Sequence, residues 1–108
     1  MEHNTITLSG IILEISDTRV TPAGIPHRRF LLEHRSRQVE ASHPREVQCR
    51  LPVELRGELV RRAQPLLQVG ERIKVTGFID RSGYKDEAGA RLVLHAQTIQ
   101  SSSPEAGS

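Results

Sequence analysis

The sequence predicts an all-β fold: a small barrel of five strands with a short helical or turn-rich connector between the third and the fourth. Three observations carry the prediction. Apolar and polar residues alternate with period two through most of the chain, the pattern of half-buried strands. Glycine and proline interrupt the alternation at Gly10, Pro22, Gly24, Pro26, Pro52 and Gly70, where turns, bends or strand ends are expected. One stretch alone, residues 53–64, changes to a helical period and stops at Pro65, because proline cannot continue a helix.

Taken in order, the first strand spans Thr5 to Ile15, with Ile6 and Leu8 alternating with Thr5, Thr7 and Ser9. Gly10 predicts a bulge or sharp bend, beyond which Ile11, Leu13 and Ile15 move the apolar parity from even to odd. A first strand that bends to serve two sides of a sheet is what closing a small barrel requires. Residues 16–26 form a loop. The second strand follows from about His27 to Arg35, with Phe30 and Leu32 inward, His34 on their parity, and His27, Arg29, Glu33 and Arg35 outward with Leu31. Polar Gln38 to Pro44 reads as a mobile hairpin loop. Glu46 to Leu51 is the third strand, Val47, Cys49 and Leu51 on one face and Glu46, Gln48 and Arg50 on the other, ended by Pro52. In the connector Leu55 and Leu59 recur at helical spacing, weakened by Gly57. The fourth strand, Glu71 to Asp80, sets Ile73, Val75 and Ile79 against Lys74, Thr76 and Phe78, and Gly77 permits a close approach. After the Arg81 to Ala90 loop, Leu92, Leu94 and Ala96 alternate with Arg91, Val93 and His95 in a fifth strand ending near Ile99. Residues 1–100 are the expected domain; the tail 101–108 has no hydrophobic anchor and is expected to be disordered.

At 108 residues the chain is one domain, and 36% hydrophobic with 26% charged residues suits a folded soluble protein. The apolar runs Ile11-Ile12-Leu13 and Leu92-Val93-Leu94 are too short for a bilayer, and the start, Met-Glu-His-Asn-Thr, lacks a signal-peptide pattern. A single cysteine, Cys49, allows no internal disulfide and suits a reducing compartment, so a cytoplasmic location with no membrane partner is expected. Net charge is +2, and the isoelectric point is about 9.2. All of the fifteen basic residues except Lys74 and Lys85 are arginine. Arginine grips phosphate as a bidentate fork and stacks on bases, which lysine does not. A GC-rich genome produces the same bias without a functional cause, so the charge alone does not establish a nucleic-acid partner.

Five strands with one connector after the third is the count and order of an OB-fold barrel. That fold takes oligonucleotides across its second and third strands and the loops joining strands one to two and four to five. Here those are the basic second strand with Arg29 and Arg35, the third with Gln48 and Arg50, the loop of Arg19, and the loop running from Arg81. Other chemistries fare worse. His27 and His34 have opposite parity, the remaining histidines are scattered, and no cysteine or carboxylate cluster completes a metal site. Cys49 lies on the apolar parity of its strand and reads as a buried, inert thiol. No glycine-rich phosphate loop is present. Neither an enzyme nor a cofactor is expected.

The chain also carries specific residue patterns: Leu8-Ser9-Gly10, Pro22-x-Gly24-Ile25-Pro26-His27, Phe30-x-Leu32-Glu33-His34-Arg35-Ser36, Cys49-x-x-Pro52, Gly77-Phe78-Ile79 and Val93-Leu94-His95-Ala96. From about residue 5 to residue 100 it resembles the primosomal replication protein N (PriB) family. The resemblance implies a homodimeric OB-fold protein, similar in fold to bacterial single-stranded DNA-binding protein. It implies binding of single-stranded DNA without strong sequence preference and without catalysis. It also implies partnership with the helicase PriA in replication restart and, in some bacteria, with DnaT. Carried over by residue, Arg35 matches a DNA-contacting arginine, and Arg81, Lys85 and Arg91 match the basic residues of the last loop. His43 and Gln48 stand where some members carry stacking aromatics, and Glu14 where a basic residue can occur. The chain has no tryptophan and only Phe30, Phe78 and Tyr84 as aromatic rings; Phe30 belongs to the core, which leaves Tyr84 as the expected stacking ring. Each stacked base is worth about 1–3 kcal/mol. The expected interface is Arg19, Arg29, Arg35, His43, Gln48, Arg81, Tyr84, Lys85 and Arg91. A second reading makes the protein chiefly an adapter for the restart helicase, with weak or auxiliary DNA binding.

Overall fold

The computed structural model of the chain describes residues 1–82 and 91–103. Its elements run β1 (Ile6–Ile15), β2 (Arg19–Val20), β3 (Pro26–Glu40), β4 (His43–Arg56), α1 (Glu58–Arg62), a 3₁₀ turn at Gln64–Leu66, β5 (Arg72–Arg81) and β6 (Leu92–Ser101). The sheet order is β1-β5-β6-β4-β3-β2, and β1 pairs also with β3, which closes the five long strands into a barrel. This is the predicted OB-fold barrel with its connector after the third long strand. The short β2 is an addition that pairs Arg19 with His27 and Val20 with Pro26.

Closure depends on β1 serving two neighbours. Ile6 to Ile11 pair with β5, and Ile11 to Ile15 pair with β3. Gly10 marks the handover, because a Cβ there would fall inside the Glu33 carbonyl of β3. The bulge lies further on, at the register shift between Ile12 and Glu14. Even parity therefore persists to the fully buried Ile12 and changes only after it, not at Gly10. A bulge adds a residue and turns the following side chains over, whereas the glycine only relieves a close contact.

Ile12, Phe30, Leu32, Val53, Leu55, Ile73, Val75 and Leu94 fill the barrel, and Val60, Ala63 and Leu67 of the connector close one end. Phe30 and Leu32 point inward as their parity required. Strand pairing aligns Phe30, Val53, Leu94 and Ile79 in one inward row across β3, β4, β6 and β5.

Several expectations fail because β3 and β4 outrun the barrel. They pair without interruption from His27–Arg56 to Glu40–His43. Gln38 to Pro44 is therefore not a loop, apart from Ala41 and Ser42, whose φ values of 52° and 67° form a two-residue hairpin turn. The segment looked like a loop because both faces of a projecting ribbon meet water, which removes the apolar half of the alternation. Cross-strand ion pairs hold the ribbon instead, Arg37 to Glu46 at 3.0 Å and Arg45 to Glu40. Cys49 lies on this ribbon and is exposed, not buried. Pro52 does not end the strand, because β6 joins β4 only at Val53 and Glu54 and proline is tolerated where one edge lacks a neighbour. Val53 and Leu55 are thereby drawn into the core as strand residues, and the helix starts only at Glu58. At the other end β6 continues to Ser101, and the Ser102 amide donates to the Arg72 carbonyl at 3.0 Å. The boundary placed at residue 100 thus falls inside a strand, and residues 104–108 lie outside the described residues.

Candidate nucleic-acid interface

The parity that buries Phe30 and Val53 turns the intervening residues of β3 and β4 outward. Their pairing builds the ladder Arg29–Glu54, Leu31–Pro52, Glu33–Arg50, Arg35–Gln48 and Arg37–Glu46 on the outside of the barrel and ribbon. Arg35 is 69% exposed, with Nε 3.7 Å from Glu33, and Arg50 Nε lies 3.2 Å from the same carboxylate. One acid thus stands between two arginines, and both guanidinium groups remain open to solvent.

Lower on this face, Glu54 is only 5% exposed beneath three basic groups. Arg56 donates to it at 2.8 Å and Arg29 at 3.3 Å, and the His27 ring touches it. Burial alone would raise the Glu54 carboxyl, but the Arg56 hydrogen bond and the charges of His27, Arg56 and Arg29 outweigh it and hold the group below its usual value. A depressed carboxyl contributes stability that is complete above the unfolded value near 4.5 and is lost as pH falls through the folded value. Glu54→Gln leaves the cations without their acid and is expected to cost about 1–3 kcal/mol at pH 7. Thermal melts between pH 7 and pH 3 should show a smaller acid loss for the variant than for the wild type. Parallel curves would show that the cluster adds nothing to acid sensitivity.

The expected residues distribute unevenly over this surface. Arg35 and Gln48 are direct cross-strand partners, and Arg29 lies on their face but is shared with Glu54. Arg19 is exposed on β2 opposite His27, at the edge of the Glu54 cluster. Arg81 and Arg91 flank the mouth of the β5–β6 loop, where the Ser82 amide donates to the Arg91 carbonyl at 2.8 Å. Tyr84 and Lys85 lie outside the described residues. His43 does not join the group. Its pairing with Glu40 puts it on the parity of Phe30 and Leu32, facing away from Arg35 and Gln48. Arg28, also on that parity, donates to the Ser16 carbonyl at 2.8 Å and braces the loop below.

Sequence reasoning set Arg50 on the binding face of the third strand but left it out of the expected interface, and it passed over Arg56. The outward parity of Arg50 was visible, whereas Arg56 was hidden by its assignment to the connector helix. It also passed over a pair of stacked rings. Phe78 and His95 are partners on β5 and β6, with centroids 5.0 Å apart and planes inclined by 10°.

Residues 4–98 match a family described as another single-strand binding protein family. Over 101 residues the chain is 43% identical to the replication restart protein PriB of Photorhabdus laumondii, covering 93% of this chain and 94% of that one. The chain belongs to the PriB family of replication restart proteins. The PriB protein of Erwinia tasmaniensis is 40% identical over 104 residues, with the same coverage of both chains. Among solved structures, PriB from Ralstonia solanacearum superposes with a TM-score of 0.79 at 23% identity, over 93% of this chain and 98% of that one. The wild-type single-stranded DNA-binding protein from Thermus aquaticus superposes with a TM-score of 0.74 at 24% identity, over 94% of this chain and 50% of that one. At such identities the likeness speaks for the barrel.

Proposed function

We propose that the chain is a non-catalytic, cytoplasmic single-stranded DNA-binding component of replication restart. In this reading the DNA backbone follows the outer ladder of β3 and β4 and the arginines at the base of the β5–β6 loop. The observation that carries it is the ladder itself: Arg29, Arg35, Arg37 and Arg50 share one solvent-facing side with fewer acids than bases. The surface lies where an OB-fold takes oligonucleotides, and the matching family is described as single-strand binding. The partners are single-stranded DNA, the helicase PriA and, where the host has it, DnaT. A second copy of the chain completes a homodimer. The edge of β1 from Ile6 to Ser9 that faces away from β5 has no strand neighbour among the described residues, and supports such pairing.

One observation favours the adapter reading. Glu33 and Glu46 already hold Arg35, Arg50 and Arg37, and these carboxylates compete with phosphate. Fluorescence anisotropy of labelled oligo(dT), titrated with protein at several salt concentrations, separates the two. A DNA-binding face gives a linear fall of log affinity with log salt, of slope roughly −0.7 for each phosphate engaged. An adapter gives no measurable binding at physiological salt and a defined complex with purified PriA. Light scattering on the same samples should give twice the 12.1 kDa of the chain; the monomer mass would rule out the dimer.

A further inference from the structure

Immediately beside the inward row of Phe30, Val53, Leu94 and Ile79 runs an outward one. Strand pairing aligns Arg29 with Glu54, Glu54 with His95, and His95 with Phe78. The row crosses four strands, so at about 4.8 Å per strand it extends roughly 14 Å around the barrel. At one end stand Arg29 and Arg56 over Glu54. At the other the Phe78 ring lies stacked on His95. Further along the same two strands, Arg91 at the loop mouth lies on the parity of His95, with Asp80 on the parity of Phe78, whereas Arg81 pairs with Leu92 on the opposite parity. Gly77 holds β5 and β6 together at this point, since a Cβ there would fall inside the His95 carbonyl.

Phe78 is 36% exposed, whereas Phe30 is 2% exposed in the core. Among the described residues Phe78 is thus the phenyl ring available to solvent. His95 lies stacked on it, and the exposed part of the Phe78 ring presents aromatic surface between the arginines at Glu54 and Arg91. A nucleobase flanked by phosphates fits that arrangement in both its parts. The base stacks, and the neighbouring phosphates meet cations. An aliphatic side chain of a protein partner would make use of neither the planarity nor the charges.

We propose that the Phe78–His95 pair is a nucleobase-stacking subsite for single-stranded DNA, bridging the arginine ladder of β3 and β4 to the base of the β5–β6 loop. The proposal rests on the DNA-binding reading above. Every base has a π-face, so the subsite adds affinity without sequence preference.

The chain has no tryptophan, so Phe78→Trp installs a single fluorescent reporter at the site. Its emission is expected to be quenched as oligo(dT) saturates the protein, with saturation followed independently by anisotropy of the labelled DNA. Phe78→Leu keeps apolar bulk but removes the ring. It should lower affinity about tenfold and leave the salt slope unchanged, because no phosphate contact is lost. Unchanged tryptophan emission at full saturation, or full affinity in the leucine variant, would overturn the subsite while leaving DNA binding intact. Absence of oligo(dT) binding by the wild type would instead overturn the reading beneath it, and the subsite with it. Circular dichroism melts show whether the leucine variant is folded; if it is not, the tryptophan signal decides alone.

Discussion

Exchanging Arg35 and Arg91 for glutamate together is expected to lower the affinity for oligo(dT) on the order of a hundredfold at ~0.1 M salt. The two residues come from opposite ends of the proposed path, Arg35 from the ladder opposite Gln48 and Arg91 from the mouth of the β5–β6 loop. Each phosphate contact on a single strand contributes roughly 0.7 to the slope of log affinity against log salt, and so about 0.7 log units near 0.1 M. Two lost contacts account for more than tenfold, and the added negative charges repel the backbone for the remainder. The slope itself should become shallower by roughly 1.4. Arg35 is 69% exposed and 3.7 Å from Glu33, so its loss should cost well under about 1 kcal/mol of stability. A fall in affinity with an unchanged melting temperature therefore reports on binding. An unchanged affinity and slope would remove both arginines from the path and favour the adapter.

Leu94→Ala is expected to have the largest effect on folding. Leu94 is fully buried, between Val53 of β4 and Ile79 of β5 in the inward row. The β4–β6 junction is parallel and joins only Val53–Leu94 and Glu54–His95. Backbone pairing there is short, so apolar contact carries the seam. Truncating a buried leucine removes transfer free energy and leaves a cavity, together roughly 2–5 kcal/mol. For a domain of this size each kcal/mol lowers the melting temperature by about 4–8 °C, so thermal denaturation should move down by on the order of 10–30 °C. A change of only a few degrees would mean that the seam is held by something other than this side chain.

Much of the fold was legible. Alternation in β1, β3, β5 and β6 located the strands, and the parity of Phe30 and Leu32 identified the core and, by the same step, the outward face bearing Arg29 and Arg35. The outer part of the ribbon, Gln38 to Pro44, was not legible, since a strand with water on both faces has no apolar alternation. Cys49 was misplaced because the alternation of Val47, Cys49 and Leu51 was read as a buried face, whereas Cys49 lies beyond the barrel and is exposed. His43 shows the limit most clearly. The family resemblance grouped it with Gln48, but the two-residue turn at Ala41 and Ser42 sets a register that faces it the other way. The Phe78–His95 pair required more still, because the β5–β6 register shifts between Thr76 and Gly77, and only after that shift do the two rings meet.

The stretch from Pro22 to Arg37 shows where the division lies. By itself the sequence determined that it holds a cationic strand with Phe30 and Leu32 on one side and arginines on the other. A side chain's face depends on its neighbours two positions away, which is local information. Tertiary structure alone decided that this strand runs on to Glu40 as half of a projecting ribbon. It also decided that Arg29 is drawn to the buried Glu54 while Arg35 stays open, and that a phenylalanine from β5 ends the same outer row. Those facts depend on the register and closure of strands far apart in the chain, and no local pattern carries them.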